Sequence, residues 1–338
     1  MKVLAAVSPN KITFQEREMP AAGEGQIVIK VEAVGVCQTD LDVLEGKRRE
    51  KDWQPPRVLG HEISGVVYET GKGVKNVKTG QSIVVNPVMS CGECFYCKKG
   101  ILGCVNGRLI GGSTDGGMQE YLCIPAENAV PVPDSISKEA AAIIEPFACV
   151  LTAFRKVTIS PGDTVVIAGP GIGGLCFTQL SKNCGAKVIL IGTRDERLEL
   201  GKKLGADVTV NIRKENALDI VLNETNGFGA DVFFEASGNG SVIDEAMDMT
   251  RGSGSIVAYG IPFGLIDFDL QKLILKDQAL ISGAGPWQTF DEAVKLLEEG
   301  KVVLNDFVTH VHKMDEIEEV IKMVKERQPK LMKAVLKW

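Results

Sequence analysis

The chain has 338 residues, of which 44% are hydrophobic and 24% charged, with a formal net charge of -6. That is ordinary globular composition, enough for about two domains, and an acidic surplus without clustered basic faces excludes a nucleic-acid or anionic-membrane surface. The start, MKVLAAVSPN, reaches Ser8 and Pro9 after a few apolar residues, too short for an export signal or a spanning helix, so a cytoplasmic location is expected. The first 150 residues hold short strand-like runs between turn signals, KVLAAV, QIVIKVEAVGV, ISGVVYETG and QSIVVNPV, and read as an irregular β-rich domain. From Pro161 the texture becomes α/β: strands TVVIAG, KVILIG, DVTVN, ADVFFEAS and GSIVAYG alternate with helix-like segments, which predicts a doubly wound parallel sheet covered on both faces. After about residue 284 follow a helix (FDEAVKLLEEG), a strand (FVTHVH), one amphipathic helix (MDEIEEVIKMVKER) and a last strand (KAVLKW).

Five of the nine cysteines fall in the first third, and four of them, Cys91, Cys94, Cys97 and Cys104, lie within 14 residues with spacings of two, two and six. Without an export signal such clustering reads as metal ligation rather than disulfides, and four thiolates in a glycine-rich loop suit a closed tetrahedral zinc. An iron-sulfur cluster is the rival; its bacterial run needs a fourth cysteine after three residues, followed by proline, which is absent.

A second metal site has to be assembled from scattered residues, because the only histidines are His61, His310 and His312. Cys37 in GVCQTD, His61 in Gly60-His61-Glu62 and Glu145 in EPFACV would give one thiolate, one imidazole and one carboxylate, with a fourth position open as a catalytic zinc requires. His310 and His312 alternate on one strand face; without a third ligand nearby they read as a solvated face or a subunit contact.

Gly169-Pro170-Gly171-Ile172-Gly173-Gly174 holds a G-x-G-x-x-G pattern directly after the strand TVVIA and at the opening of a helix. In that context Gly169, Gly171, Ile172 and Gly174 are expected to let a dinucleotide pyrophosphate rest on the helix N-terminus. The acid expected about 20 residues on is replaced by Gly192-Thr193-Arg194. Thr193 and Arg194 would hold a 2'-phosphate and select NADP; in the alternative, Asp195 reaches the ribose and selects NAD.

GVCQTD, GHE, the four-cysteine loop, EPFACV and GPGIGG stand in the order seen in zinc-dependent medium-chain alcohol and polyol dehydrogenases. The chain resembles that family, in its sorbitol and threonine dehydrogenase-like branch, over essentially its whole length. The resemblance implies a GroES-like β-barrel catalytic domain over 1–148, a Rossmann domain over 149–283 and a return to the catalytic domain over 284–338, with two zincs per subunit. It makes Cys37 and His61 ligands of the catalytic zinc. Glu145 stands where alcohol dehydrogenases have a second cysteine and polyol, glucose and threonine dehydrogenases have glutamate; either Glu62 or Glu145 binds the metal, directly or through water. Asp40 matches the carboxylate that orients the histidine ligand, Thr39 the hydroxyl that passes the alcohol proton outward, and Lys333 a basic residue that contacts the cofactor pyrophosphate.

Three departures stand out. Asp42 replaces a histidine at the outer end of the proton relay, the segment GAGPWQTF lacks the arginine with which sorbitol dehydrogenases contact substrate, and the cysteine loop is one residue short before its last thiol. The implied activity is reversible hydride transfer between an alcohol or polyol, such as a sugar alcohol or its phosphate, and NAD(P). A zinc-free quinone or enoyl reductase and a non-catalytic dinucleotide-binding interaction protein are the rivals; both predict loss of the zinc trio, which is intact. Relatives are joined through their Rossmann domains, so a homodimer or homotetramer is expected. Cys123, Cys149, Cys176 and Cys184 read as core packing, Trp53 and Trp287 as pocket lining or plain packing, and the basic run from Lys47 to Lys51 as a charged loop or an anion attractant.

Overall fold

The computed structural model describes residues 1–47, 55–262, 264–283, 285 and 288–338. Trp53, Trp287 and residues 48–51 of the basic run therefore lie outside the described residues. The chain forms two compact units, one of Met1–Glu145, Phe290–Glu298 and Val303–Trp338, the other of Pro146–Thr289 and Glu299–Val302.

The first unit opens with β1 (Lys2–Ser8), β2 (Lys11–Glu16), β3 (Gln26–Gly35), α1 (Gln38–Leu44), β4 (Arg57–Val58), β5 (Glu62–Thr70), β6 (Ser82–Val85), β7 (Val88–Met89), α2 (Phe95–Lys99), β8 (Arg108–Leu109), β9 (Tyr121–Pro125), β10 (Ala129–Pro131) and α3 (Lys138–Ala142). The β-branched run of β3 is buried along most of its length, because the strand has partners on both edges. It runs antiparallel to β5, with Gly35 opposite Glu62, and its first half also pairs with β9, Ile27 opposite Ile124. Leu4, Ile29, Val31, Leu41, Leu59, Ile63 and Ile83 fill the core below.

The second unit carries most of α4 (Ile144–Phe154), then β11 (Thr164–Ala168), α5 (Ile172–Asn183), β12 (Lys187–Gly192), α6 (Asp195–Lys203), β13 (Val208–Asn211), α7 (Ala217–Glu224), β14 (Ala230–Glu235), α8 (Val242–Met249), β15 (Thr250–Ala258), α9 (Leu270–Leu275) and β16 (Ala279–Ser282). All neighbouring strands are parallel, in the order β13-β12-β11-β14-β15-β16. That is the doubly wound order with its reversal between β11 and β14, where dinucleotides bind at the strand C-termini. The sheet packs Phe233 and Val166 against Ala246 and Met247 of α8 in one core cluster, while Phe234 stacks on Phe177 at 4.1 Å. β16 is a sixth strand beyond the five legible in the sequence; its four residues ALIS are mostly exposed and show no alternation.

The chain then adds α10 (Phe290–Glu298), β17 (Val308–Lys313), α11 (Ile317–Lys325) and β18 (Lys333–Lys337). β18 pairs antiparallel with β3, Val335 opposite Gly35, and β17 lies parallel to β18. The amphipathic segment expected as one helix from Met314 begins with a 3-10 turn, Met314–Glu316, before α11. The end of β3 and the starts of β5 and β18 thus meet, which brings Gly35, Glu62 and Lys333 together. Among the described residues no helix is long and apolar enough to cross a membrane.

Candidate active site and metal centres

Cys37, His61 and Glu62 come from three places, the turn before α1, the turn after β4 and the first residue of β5, yet one donor atom from each lies within 4.8 Å of the others. Asp40 sets that convergence. Its Oδ2 accepts the Cys37 N–H at 3.0 Å, and its Oδ1 accepts the Gly60 N–H at 3.1 Å and faces His61 Nδ1 at 3.4 Å. One buried carboxylate so fixes both turns and lies beside the imidazole, whose Nδ1 is buried without a hydrogen-bond partner. Burial alone would lower the His61 pKa, but the charges of Asp40 and Cys37 outweigh it and raise it well above its usual range.

Glu62 is held from the other side. Lys333 Nζ donates to its Oε1 at 2.6 Å and to the Val36 carbonyl at 3.2 Å. Burial would lower the lysine pKa; the charges of Glu62, Cys37 and Glu145 overcome it and keep the ammonium charged. Glu62 Oε2, by contrast, is buried with no hydrogen-bond partner. An orphaned carboxylate oxygen costs about 1–3 kcal/mol or more, and a cation between it, the thiolate and the imidazole would satisfy it. The donor set therefore fits a metal of zinc type. Gly35 makes the arrangement possible, since a Cβ there would stand 2.1 Å from Glu62 Oε2. A glycine at the end of a strand rich in β-branched residues was the available sign of this close approach.

The other expected groups divide. Thr39 is half-buried beside Cys37 on α1. Asp42 is buried and accepts a bond from Gln38 Nε2 at 2.9 Å. Glu145 is buried in the first turn of α4, but among the described residues the 4.8 Å set does not include it. Lys333, expected at a pyrophosphate, has its ammonium buried and paired with Glu62.

Cys91, Cys94, Cys97 and Cys104 form a second set within the same limit. The Cys91 N–H points at Cys104 Sγ (3.3 Å), and the N–H groups of Cys97 and Val105 pull the Cys94 thiol down to about 6. Desolvation, reinforced by neighbouring thiols, pushes Cys97 up to about 12. Four sulfurs facing one another with amide hydrogens aimed at them are arranged for a cation that bears the thiolates together.

In the second unit the glycine-rich loop is shaped for close backbone approach. Gly169 has φ +104, and a Cβ on Gly174 would stand 1.9 Å from the Gly169 carbonyl. A Cβ built on Gly171 would meet nothing within 4 Å, and as N-cap of α5 this glycine leaves the first-turn N–H groups without a side-chain cap. That open, donor-lined end fits a pyrophosphate. A Cβ on Gly192 would touch Pro170 at 2.5 Å, so the half-buried Thr193 and Arg194 stand next to this loop. Asp195 is turned away, accepting from Asn211 Nδ2 at 2.6 Å and Lys214 Nζ at 2.7 Å.

Comparison with known proteins gives the family. The model of the alcohol dehydrogenase GroES-like domain matches residues 23–134, and that of the zinc-binding dehydrogenases residues 171–299. The chain is 33% identical to the D-arabitol-phosphate dehydrogenase of Enterococcus avium over 96% of this chain and 95% of that one. A zinc-binding dehydrogenase from Sinorhizobium meliloti 1021, solved with NADP, superposes with a TM-score of 0.92 at 26% identity, covering 100% of this chain and 99% of its own. An Escherichia coli CFT073 alcohol dehydrogenase solved with NADH superposes equally, at 0.92 and 28% identity, with 100% and 99% covered. The chain belongs to the zinc-type medium-chain alcohol and polyol dehydrogenases. It is an oxidoreductase that moves a hydride reversibly between an alcohol or polyol and a nicotinamide cofactor, on a GroES-like plus Rossmann fold.

Gly35→Ala is expected to displace Glu62 and lower bound zinc by about one equivalent per chain, with an unchanged far-UV spectrum; zinc content by mass spectrometry on the folded variant checks it, and wild-type content would show that Glu62 does not need the space.

Proposed function

We propose that Cys37, His61 and Glu62 hold the catalytic zinc and that Cys91, Cys94, Cys97 and Cys104 hold a second, structural one. The observation that carries this reading is Glu62 Oε2, buried without a partner inside a set of three donors. Glu145 is then an outer carboxylate that supports Lys333 by charge. With both groups bound, zinc supplies Lewis acidity that lowers the alcohol pKa toward neutrality, and the nicotinamide accepts the hydride. The chain's own residues do the rest. Asp40 fixes the His61 ring, Lys333 fixes Glu62, and Thr39 Oγ1 takes the hydroxyl proton and passes it outward. Where relatives have a histidine farther out, Asp42 offers a carboxylate. Cys37→Ser should keep the fold and reduce turnover on the order of a hundredfold or more, read as nicotinamide reduction over a panel of alcohols, polyols and sugar-alcohol phosphates. The panel includes phosphates because the relative from Enterococcus avium is a D-arabitol-phosphate dehydrogenase. Full activity in folded Cys37→Ser protein would refute the ligand assignment.

The preferred cofactor is NADP. Arg194 stands beside the glycine loop, just past the tip of β12. A 2'-phosphate there would pair with its guanidinium, whereas the Asp195 carboxylate is occupied by Asn211 and Lys214. Arg194→Ala should raise the KM for NADP by roughly tenfold, the worth of one lost charge-assisted phosphate contact, and leave that for NAD within about twofold. A parent enzyme that prefers NAD would overturn this assignment.

The subunits pair through β16. This strand ends the six-stranded sheet, presents Leu280, and follows α9 with Leu270, Ile274 and Leu275 exposed. Among the described residues the outer edge of β16 is unpaired, and an apolar edge of this kind calls for a partner strand. Leu280→Lys is expected to convert the assembly seen by light scattering to monomer; a wild-type monomer would remove the proposal.

A further inference from the structure

Three histidines serve the whole chain. One belongs to the Cys37 set, and the other two lie on β17, the strand that closes one end of the first unit's main sheet. Their rings are parallel, with centroids 6.3 Å apart. In sequence this pair lacks a third ligand. The fold supplies two: His312, Glu316 and Glu319 each place a donor atom within 4.8 Å of the other two.

The three residues converge because β17 runs straight into the 3-10 turn and α11. His312 is the next-to-last residue of the strand, Glu316 ends the turn, and Glu319 follows in the first turn of α11. Glu316 Oε2 is anchored by the Lys313 N–H at 2.6 Å and faces His312 Nδ1 at 3.6 Å, too far for a hydrogen bond yet close enough to share an ion. The His312 side chain is 16% exposed, so its ring is held by packing, while Glu316 and Glu319 are open to solvent. Zinc ligands sit about 2.0–2.2 Å from the ion, which places donors roughly 3–4 Å apart; rotation of two exposed glutamates closes the set.

We propose that His312, Glu316 and Glu319 form a third metal site, on the surface, for a borderline divalent transition metal such as zinc, cobalt or nickel. One imidazole among two carboxylates selects these ions over magnesium or calcium, which take oxygen ligands alone. With three protein donors on one side, the remaining positions belong to water, so the ion exchanges freely. The site stands apart from the Cys37 and Cys91 sets and shares no residue with either.

The test is calorimetric titration of Zn2+ into the zinc-replete enzyme, in which the Cys37 and Cys91 sets are already filled. The wild type should take up one further equivalent. His312→Ala and Glu319→Gln should each weaken that uptake on the order of tenfold or more, His310→Ala should leave it within about twofold, and all three should keep wild-type dehydrogenase activity and tightly held zinc. Absence of the further equivalent in the wild type overturns the proposal. So does wild-type uptake by His312→Ala or by Glu319→Gln, or loss in His310→Ala as large as in His312→Ala, which would mean that the two imidazoles bind the ion without the carboxylates.

Discussion

The arrangement of the first unit depends on a buried ion pair, Lys333 Nζ on Glu62 Oε1 at 2.6 Å. Such a pair adds little net stability, because desolvation of both charges offsets their attraction, but breaking it leaves an uncompensated charge at a cost of about 3–5 kcal/mol. Its effect is positional. The pair ties the start of β18 to the start of β5, so the last residues of the chain have to return to the unit formed by the first 145. It also settles which Glu62 oxygen remains free. With Oε1 bound to the ammonium, Oε2 is turned toward Gly35 and the proposed zinc ligands, while Asp40 holds the turns that carry Cys37 and His61.

Close backbone approach does for the second unit what buried charge does for the first. Gly174 lets α5 begin against the Gly169 carbonyl, and Gly192 lets the tip of β12 rest on Pro170. These contacts bring Arg194 to the loop without any direct bond between them, and the bonds from Asn211 and Lys214 commit Asp195 to the β13 side. Cofactor choice in this reading comes from an acid removed as much as from a base supplied.

Much of this could be read from the residues alone. The four-cysteine spacing, Gly-His-Glu and the glycine loop after a strand carry their chemistry locally, and the five long strands of the second unit announce themselves by apolar runs. β16 was hidden because four residues on an exposed edge carry no periodic signal. That Glu62 joins the Cys37 set is hidden in sequence because it depends on register: Glu62 stands opposite Gly35 on the neighbouring strand, and only pairing reveals that. The bond between Lys333 and Glu62 is hidden for the same reason: the partners are 271 positions apart, and only the strand order puts the lysine beside the carboxylate. Glu316 and Glu319 look like the ordinary acidic first turn of a helix, and only the entry of β17 sets a histidine beside them.

The three donor sets in this unit differ most in what holds them before an ion arrives. Amide hydrogens aimed at sulfur preform the four-cysteine loop. Asp40 and Lys333 preform the Cys37 set, where one orphaned oxygen records the strain of waiting. At His312 only one backbone bond to Glu316 and the packing of a ring are in place. Since the cost of ordering donors is subtracted from the binding energy, affinity should fall in that order while exchange quickens. The same gradient matches the roles proposed for the sites: a closed sulfur cage would have no place for substrate, a three-donor set could accept one oxygen, and an exposed set would exchange its metal with solution.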